Sequence, residues 1–141
     1  MSDAQSCPFC ALPSAQIVAE LPLALAFRDR SPLSKGHSLV IPRRHVVSFF
    51  DCTADEHAAM LALLGDIRAG LEREYAPDGY NIGLNNGVAA GQTVMHAHMH
   101  LIPRYRGDAT DPRGGVRWIF PDKAAYWQSG QSGQSGEKSG S

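Results

Sequence analysis

Gly91-Gln92-Thr93-Val94-Met95-His96-Ala97-His98-Met99-His100-Leu101-Ile102-Pro103-Arg104 is the stretch from which the fold can be read outward. In it His96, His98 and His100 alternate with Ala97, Met99 and Leu101. Period-two alternation is the pattern of a half-buried strand. A strand is therefore predicted over His96–Ile102, with the imidazoles on one face and the apolar side chains in the core. Half of the 6 histidines of the chain fall in this short run. Histidine is neither a favoured strand former nor cheap to bury, so that face is a candidate site and not a plain polar surface.

The residues alone leave two chemistries open. Alternate strand residues lie about 6.6 Å apart and the outer pair about 13 Å. Zinc needs each nitrogen within about 2.1 Å of one point, so two neighbouring histidines can converge on an ion but three consecutive alternates strain the geometry. The other chemistry is nucleophilic attack on phosphorus. An imidazole of ordinary pKa, about 6.5, is largely neutral at pH 7 and offers a lone pair to a phosphoryl group. Upstream, Asn85-Asn86-Gly87 and Gly91-Gln92-Thr93 supply amide, hydroxyl and glycine-exposed backbone donors for phosphate oxygens. Asn-Gly pairs are also strong turn formers, so Asn85 and Asn86 have a purely local explanation as well.

Working outward, Thr53 and Glu56 form a Thr-x-x-Glu capping box. Behind it Met60, Leu63, Leu64, Ile67, Leu71 and Tyr75 recur at helical spacing until Pro77 and Gly79. One long helix is predicted there, with His57 on its exposed side. Short apolar runs bounded by turn residues predict further strands at 17–21, 23–27, 38–41, 80–84 and 116–120. A brief helix is expected near Cys10–Ala15, limited by Pro13. Links too short for crossovers make the sheet antiparallel. The expected class is α+β, with about five strands, one long helix and a short N-terminal helix.

The 141 residues carry 13 Lys+Arg against 14 Asp+Glu, with 43% hydrophobic and 19% charged residues. Such a chain fits one domain with a real core, and its balanced charge gives no reason to expect a nucleic-acid or membrane partner. No apolar run approaches the roughly 20 residues of a spanning helix, and the start lacks a signal-peptide pattern. A cytoplasmic protein is expected. The last fourteen residues, 128–141, repeat Gln-Ser-Gly and read as a flexible tail behind a domain at 1–127.

Three cysteines are too few, and odd in number, for a secreted disulfide scaffold. Cys7-Pro8-Phe9-Cys10 has metal-ligand spacing; a redox pair is the other use of such a motif, but the surrounding thioredoxin-type pattern is missing. Arg104, Arg106, Arg113 and Arg117, set among glycines and aromatics, fit either polyphosphate or base contact or a solvated loop balanced by Asp108 and Asp111.

His96–Ile102 matches the His-φ-His-φ-His-φ-φ signature of the histidine triad (HIT) family, with an apolar residue at every φ. The sequence also resembles that family from Cys7–Cys10, through Phe27-Arg28-Asp29 and Gly36-His37-Ser38-Leu39-Val40-Ile41-Pro42-Arg43-Arg44-His45, to the triad. The resemblance implies the HIT-like fold. It also implies a nucleotide hydrolase or transferase cleaving phosphoramidates or dinucleoside polyphosphates at the phosphorus next to the nucleoside. The implied catalytic residues are His98, which forms a covalent nucleotidyl-histidine, with His100 and His37. The implied nucleotide-binding residues are Asp29 at the ribose hydroxyls, and Asn85, Gln92 and Thr93 at the phosphate and leaving group. Leu25 and Phe27 fit either a wall for the base or plain core.

The chain is similar to the bacterial zinc-containing members, those resembling dinucleoside polyphosphate hydrolases. That implies a closed structural zinc site of Cys7, Cys10, His45 and His96; metal-free cysteines, with His96 in the active site, are the alternative. The resemblance further implies a homodimer acting on a nucleotide substrate, without an organic cofactor. Attack by neutral imidazole needs no magnesium, although magnesium could aid a polyphosphate substrate. A nucleotide-binding regulatory or adaptor module with vestigial turnover is the alternative function. The complete triad argues against it, because a pure binder has no need of His98 as a nucleophile.

Overall fold

Strands β1 (Ile17–Glu20), β2 (Ala24–Arg28), β3 (Ser38–Pro42), β4 (Gly79–Leu84) and β5 (Met99–Arg104) form one sheet in the order β1-β2-β3-β5-β4. Every pairing is antiparallel, as expected from the short links. The computed structural model describes residues 4–128 and divides between Tyr105 and Arg106 into two compact units, the sheet lying in the first.

Helix α1 (Ala54–Tyr75) is the long helix expected from the 3.6-residue period. Its buried residues Met60, Leu63, Ile67 and Leu71 pack on Ala24, Ala26, Val40, Met99 and Leu101. The other face of the sheet buries Leu25, Phe27, Leu39 and Ile41 under Phe9, Leu12 and Ile17. Burial on both faces is why β2 and β3 read as unbroken apolar runs. His57 is half-buried, not exposed: its Nε2 lies 2.8 Å from the Phe49 carbonyl and its ring stacks on Phe49.

The capping box is present in full, Glu56 N–H donating to Thr53 Oγ1 and Thr53 N–H to Glu56 Oε1. Glu56 also accepts two bonds from Arg44, at 2.9 and 3.0 Å, and so ties the helix start to the segment after β3. The Arg44 guanidinium holds the buried Glu56 carboxyl down at about 2. A depressed carboxyl pKa contributes stability that is present above the unfolded value, about 4.5, and is lost as pH falls through about 2. Arg44 is half exposed, so solvent screens the pair. Glu56→Gln is expected to cost about 1–2 kcal/mol in urea denaturation at pH 7, with the gap to wild type closing between about pH 4.5 and pH 2.

Three further local expectations differ from the structure. The triad strand starts at Met99, so His96 and His98 precede it. The ladder with β3 stops as that strand reaches Pro42, which has no N–H to offer, and Ala97 N–H donates instead to Val46 O at 2.7 Å. The helix expected near Cys10–Ala15 is a turn over residues 8–11 followed by a single 3₁₀ turn, Ser14–Gln16, because Pro13 fixes the backbone just before it; a separate 3₁₀ turn, Ala4–Ser6, precedes the cysteines. The expected strand at 116–120 is a 3₁₀ helix, Gly115–Ile119, followed by α2 (Pro121–Ala124) in the second unit. Gly114 and Gly115 take positive φ there, and Trp118 Nε1 donates to Arg113 O, coiling the chain on itself.

Among the described residues no helix is long and apolar enough to cross a membrane. The tail expected at 128–141 lies, apart from Gln128, outside the described residues.

Candidate active site

The sheet face away from α1 carries a cavity of about 460 Å³. Phe9, Phe27 and Leu39 give it an apolar wall; Asp29, Asn85, Thr93, His98 and His100 give it a polar one. Leu25 packs in the layer beside it without lining it. A pocket with one apolar side and a few convergent polar groups suits a base at one end and a charged group at the other.

His98 is buried on the cavity floor, 8% exposed. Its Nδ1 lies 2.8 Å from the carbonyl oxygen of His96, which can only accept. In the neutral ring the Nδ1 proton is therefore fixed on that bond, and the lone pair falls on Nε2. Phe9 braces the ring edge-on, with centroids 5.2 Å apart. A buried, oriented imidazole with a free Nε2 is built as a nucleophile or base.

The tautomers of the other two histidines of the site are likewise fixed by their hydrogen-bond partners. Leu33 N–H donates to His37 Nδ1 at 3.0 Å, which places the proton of a neutral His37 on Nε2. That Nε2–H faces His100 Nδ1 at 2.9 Å, so His100 accepts there and carries its own proton on Nε2. Burial pushes the His37 pKa down, partly opposed by the Asp29 carboxylate. Burial, with the neighbouring His98 and His37, pushes His100 down to about 4. Both rings are neutral at pH 7. One backbone N–H in a loop thus makes His100 Nε2–H a donor beside the His98 lone pair, the ring centroids being 5.4 Å apart. Asp29 lies alongside, accepting from Ser31 N–H at 2.8 Å, with its second oxygen 3.5 Å from His37 Nε2.

His96 turns the other way. Its Nδ1 lies 3.4 Å from Cys7 Sγ and 3.5 Å from Cys10 Sγ, and His45 Nδ1 lies 3.3 Å from Cys10 Sγ. All four ligand atoms fall within 4.8 Å of one another. A tetrahedron with Zn–S of about 2.3 Å and Zn–N of about 2.1 Å has S–N edges of roughly 3.5 Å, so the donor set fits zinc. The outer nitrogen of His96 sits 2.8 Å from the Pro42 carbonyl, which fixes its proton there and leaves Nδ1 free to ligate. His45 Nε2 is buried with no hydrogen-bond partner among the described residues, and its ring meets that of His96 edge-on, centroids 5.2 Å apart. Desolvation and the Cys7 sulfur push the Cys10 thiol up to about 11, a cost that a bound cation would reverse by taking the thiolate as ligand.

The triad is therefore divided. Among the described residues, the groups able to hold a metal are Cys7, Cys10, His45, His96 and Asp29, His37, His100, and neither brings all three triad histidines round one point. His96 joins the two sites, its ring facing the cysteines and its carbonyl orienting His98. Asn85 and Thr93 line the cavity as expected from sequence. Gln92 does not. Its amide accepts from Gly87 N–H and donates to Val47 O and Val94 O, fastening the loop that leads to the triad. Asn86 is likewise engaged, accepting from Phe49 N–H at 2.7 Å. Sequence reading missed Phe9 and the Leu33 N–H; the first stands between the two cysteines, and the second leaves no side-chain signal.

The HIT domain family profile matches residues 13–107. The chain is 38% identical over 103 residues to the adenosine 5'-monophosphoramidase hnt1 of Schizosaccharomyces pombe, covering 70% of this chain and 74% of that one.

 It is 35% identical over 96 residues to the asymmetrical bis(5'-nucleosyl)-tetraphosphatase of the same organism, covering 68% of this chain and 53% of that one. Among solved structures, a zinc-bound histidine triad family protein from Mycobacterium smegmatis superposes with a TM-score of 0.68 at 32% identity, covering 91% of this chain and 99% of the other.

Proposed function

Since the chain belongs to the HIT domain family, we propose that it is a nucleotide hydrolase or transferase that works through a covalent nucleotidyl-His98. The observation that carries this reading is the bond from His98 Nδ1 to the His96 carbonyl, which leaves the buried Nε2 free to attack. Nε2 adds to the α-phosphorus, and the bond to the leaving group breaks with its electron pair going to that group, which takes up a proton from solvent when it is an amine. The adduct keeps its Nδ1 proton on the His96 carbonyl, which stabilises the positive ring. Water then attacks phosphorus, the P–N pair returns to the ring, and a nucleoside monophosphate and a proton are released.

In this proposal His100 Nε2–H donates to a phosphoryl oxygen, and His37 holds His100 in that tautomer. Asp29 takes the ribose hydroxyls, Asn85 and Thr93 take the phosphate, and Phe9, Phe27 and Leu39 wall the base. Gln92 acts on the phosphate end through the loop it fastens. Zinc on Cys7, Cys10, His45 and His96 is structural, since four protein ligands leave no open position for water. The relative that is named a monophosphoramidase and the one named a tetraphosphatase support a phosphorus bond beside a nucleoside as the target. The homodimer belongs to the same proposal.

The test is release of AMP from adenosine phosphoramidate and from a diadenosine polyphosphate in magnesium-free buffer, with no chelator that would strip zinc. Turnover of either supports the reading. Nucleotide binding without turnover of either would favour the adaptor module.

A further inference from the structure

In-line attack by His98 from the cavity floor sends the leaving group toward the mouth, on the side away from the ring. The mouth is made by exposed residues of two loops, Arg30 and Ser31 after β2, and Asn85, Gly91 and Thr93 before β5. Among the described residues, Arg30 is the only lysine or arginine lining the cavity. It has no hydrogen-bond or ion-pair partner among the described residues, whereas Arg28, Arg43 and Arg44 are paired with Glu74, Glu20 and Glu56. The adjacent carboxylate of Asp29 does not pair with it, being turned to Ser31 N–H and His37.

We propose that Arg30 receives the leaving group and selects nucleotides whose leaving group is anionic over those that release an amine. This rests on the hydrolase reading above. When a P–O bond breaks, the electron pair and a growing negative charge go to the bridging oxygen. A guanidinium stabilises that charge with charge-assisted hydrogen bonds. When a P–N bond breaks, the nitrogen must gain a proton, and arginine does not give one up. Arg30 therefore favours only the first class, whether the leaving group is a phosphate chain or a sulfate.

The experiment compares kcat/KM of wild type, Arg30→Gln and Arg30→Lys on a diadenosine polyphosphate, adenosine 5'-phosphosulfate and adenosine phosphoramidate. The ratio of polyphosphate to phosphoramidate turnover is expected to fall about tenfold or more in Arg30→Gln and to recover in part in Arg30→Lys. Added salt should erode the wild-type rate on the anionic substrates more steeply than that of Arg30→Gln. A loss on both anionic substrates supports recognition of charge; a loss on one supports the proposal and identifies the group. An equal fall on all three substrates, or an unchanged ratio, overturns it. If wild type turns over none of them, the hydrolase reading fails, and calorimetric binding still decides Arg30. ADP should then lose about tenfold more affinity than AMP in Arg30→Gln, and equal losses overturn the assignment.

Discussion

Replacing His98 with asparagine is expected to lower kcat on the best nucleotide substrate by about 10³-fold or more, because no other group in the cavity offers an oriented, unprotonated nitrogen. The fall should appear in kcat with nucleotide affinity kept within several-fold, since asparagine removes the nucleophile and leaves the Asp29, Asn85 and Thr93 contacts in place. The smaller amide relieves no strain and fills most of the same space, so the melting temperature should move little. A variant that keeps a tenth of wild-type turnover would place the nucleophile elsewhere. One that keeps its full zinc content supports the division of the triad, in which His98 is no ligand.

Cys7→Ser and Cys10→Ser are expected to act on the other arm of that division. Zinc measured by atomic emission should fall well below one per chain, and stability should fall by roughly 3 kcal/mol or more, because binding energy at a structural site is folding energy. Cys7 is buried and its sulfur faces His96 Nδ1, while the bond from the other ring nitrogen to the Pro42 carbonyl still holds His96, whose own carbonyl orients His98. Melting temperature should therefore drop far more than turnover per folded molecule. Variants as stable and as zinc-loaded as wild type would refute the metal assignment.

Much of this arrangement was legible in the chain because local signals agreed with the tertiary structure. The Thr53–Glu56 box starts α1 where expected, and the apolar spacing from Met60 to Tyr75 names its buried face. Period two in the triad correctly puts Ala97, Met99 and Leu101 in the buried set. It does not foretell that His96 swings toward the cysteines, because that depends on where β3 ends and on Val46 capturing the Ala97 N–H. Nor does it show the tautomers, which are set by backbone groups of Leu33 and His96 that carry no side-chain signature. The 116–120 run misled for a related reason. Its apolar residues have strand composition, but the glycines at 114 and 115 turn the backbone before a strand can form.

The central claim is that the reaction passes through two displacements at phosphorus, the first by His98 Nε2. Its most direct test is the stereochemical course with a nucleotide made chiral by an α-phosphorothioate and hydrolysed in oxygen-18 water. Two in-line displacements predict net retention of configuration in the nucleoside phosphorothioate released. Net inversion would mean a single attack by water and would contradict the covalent role of His98.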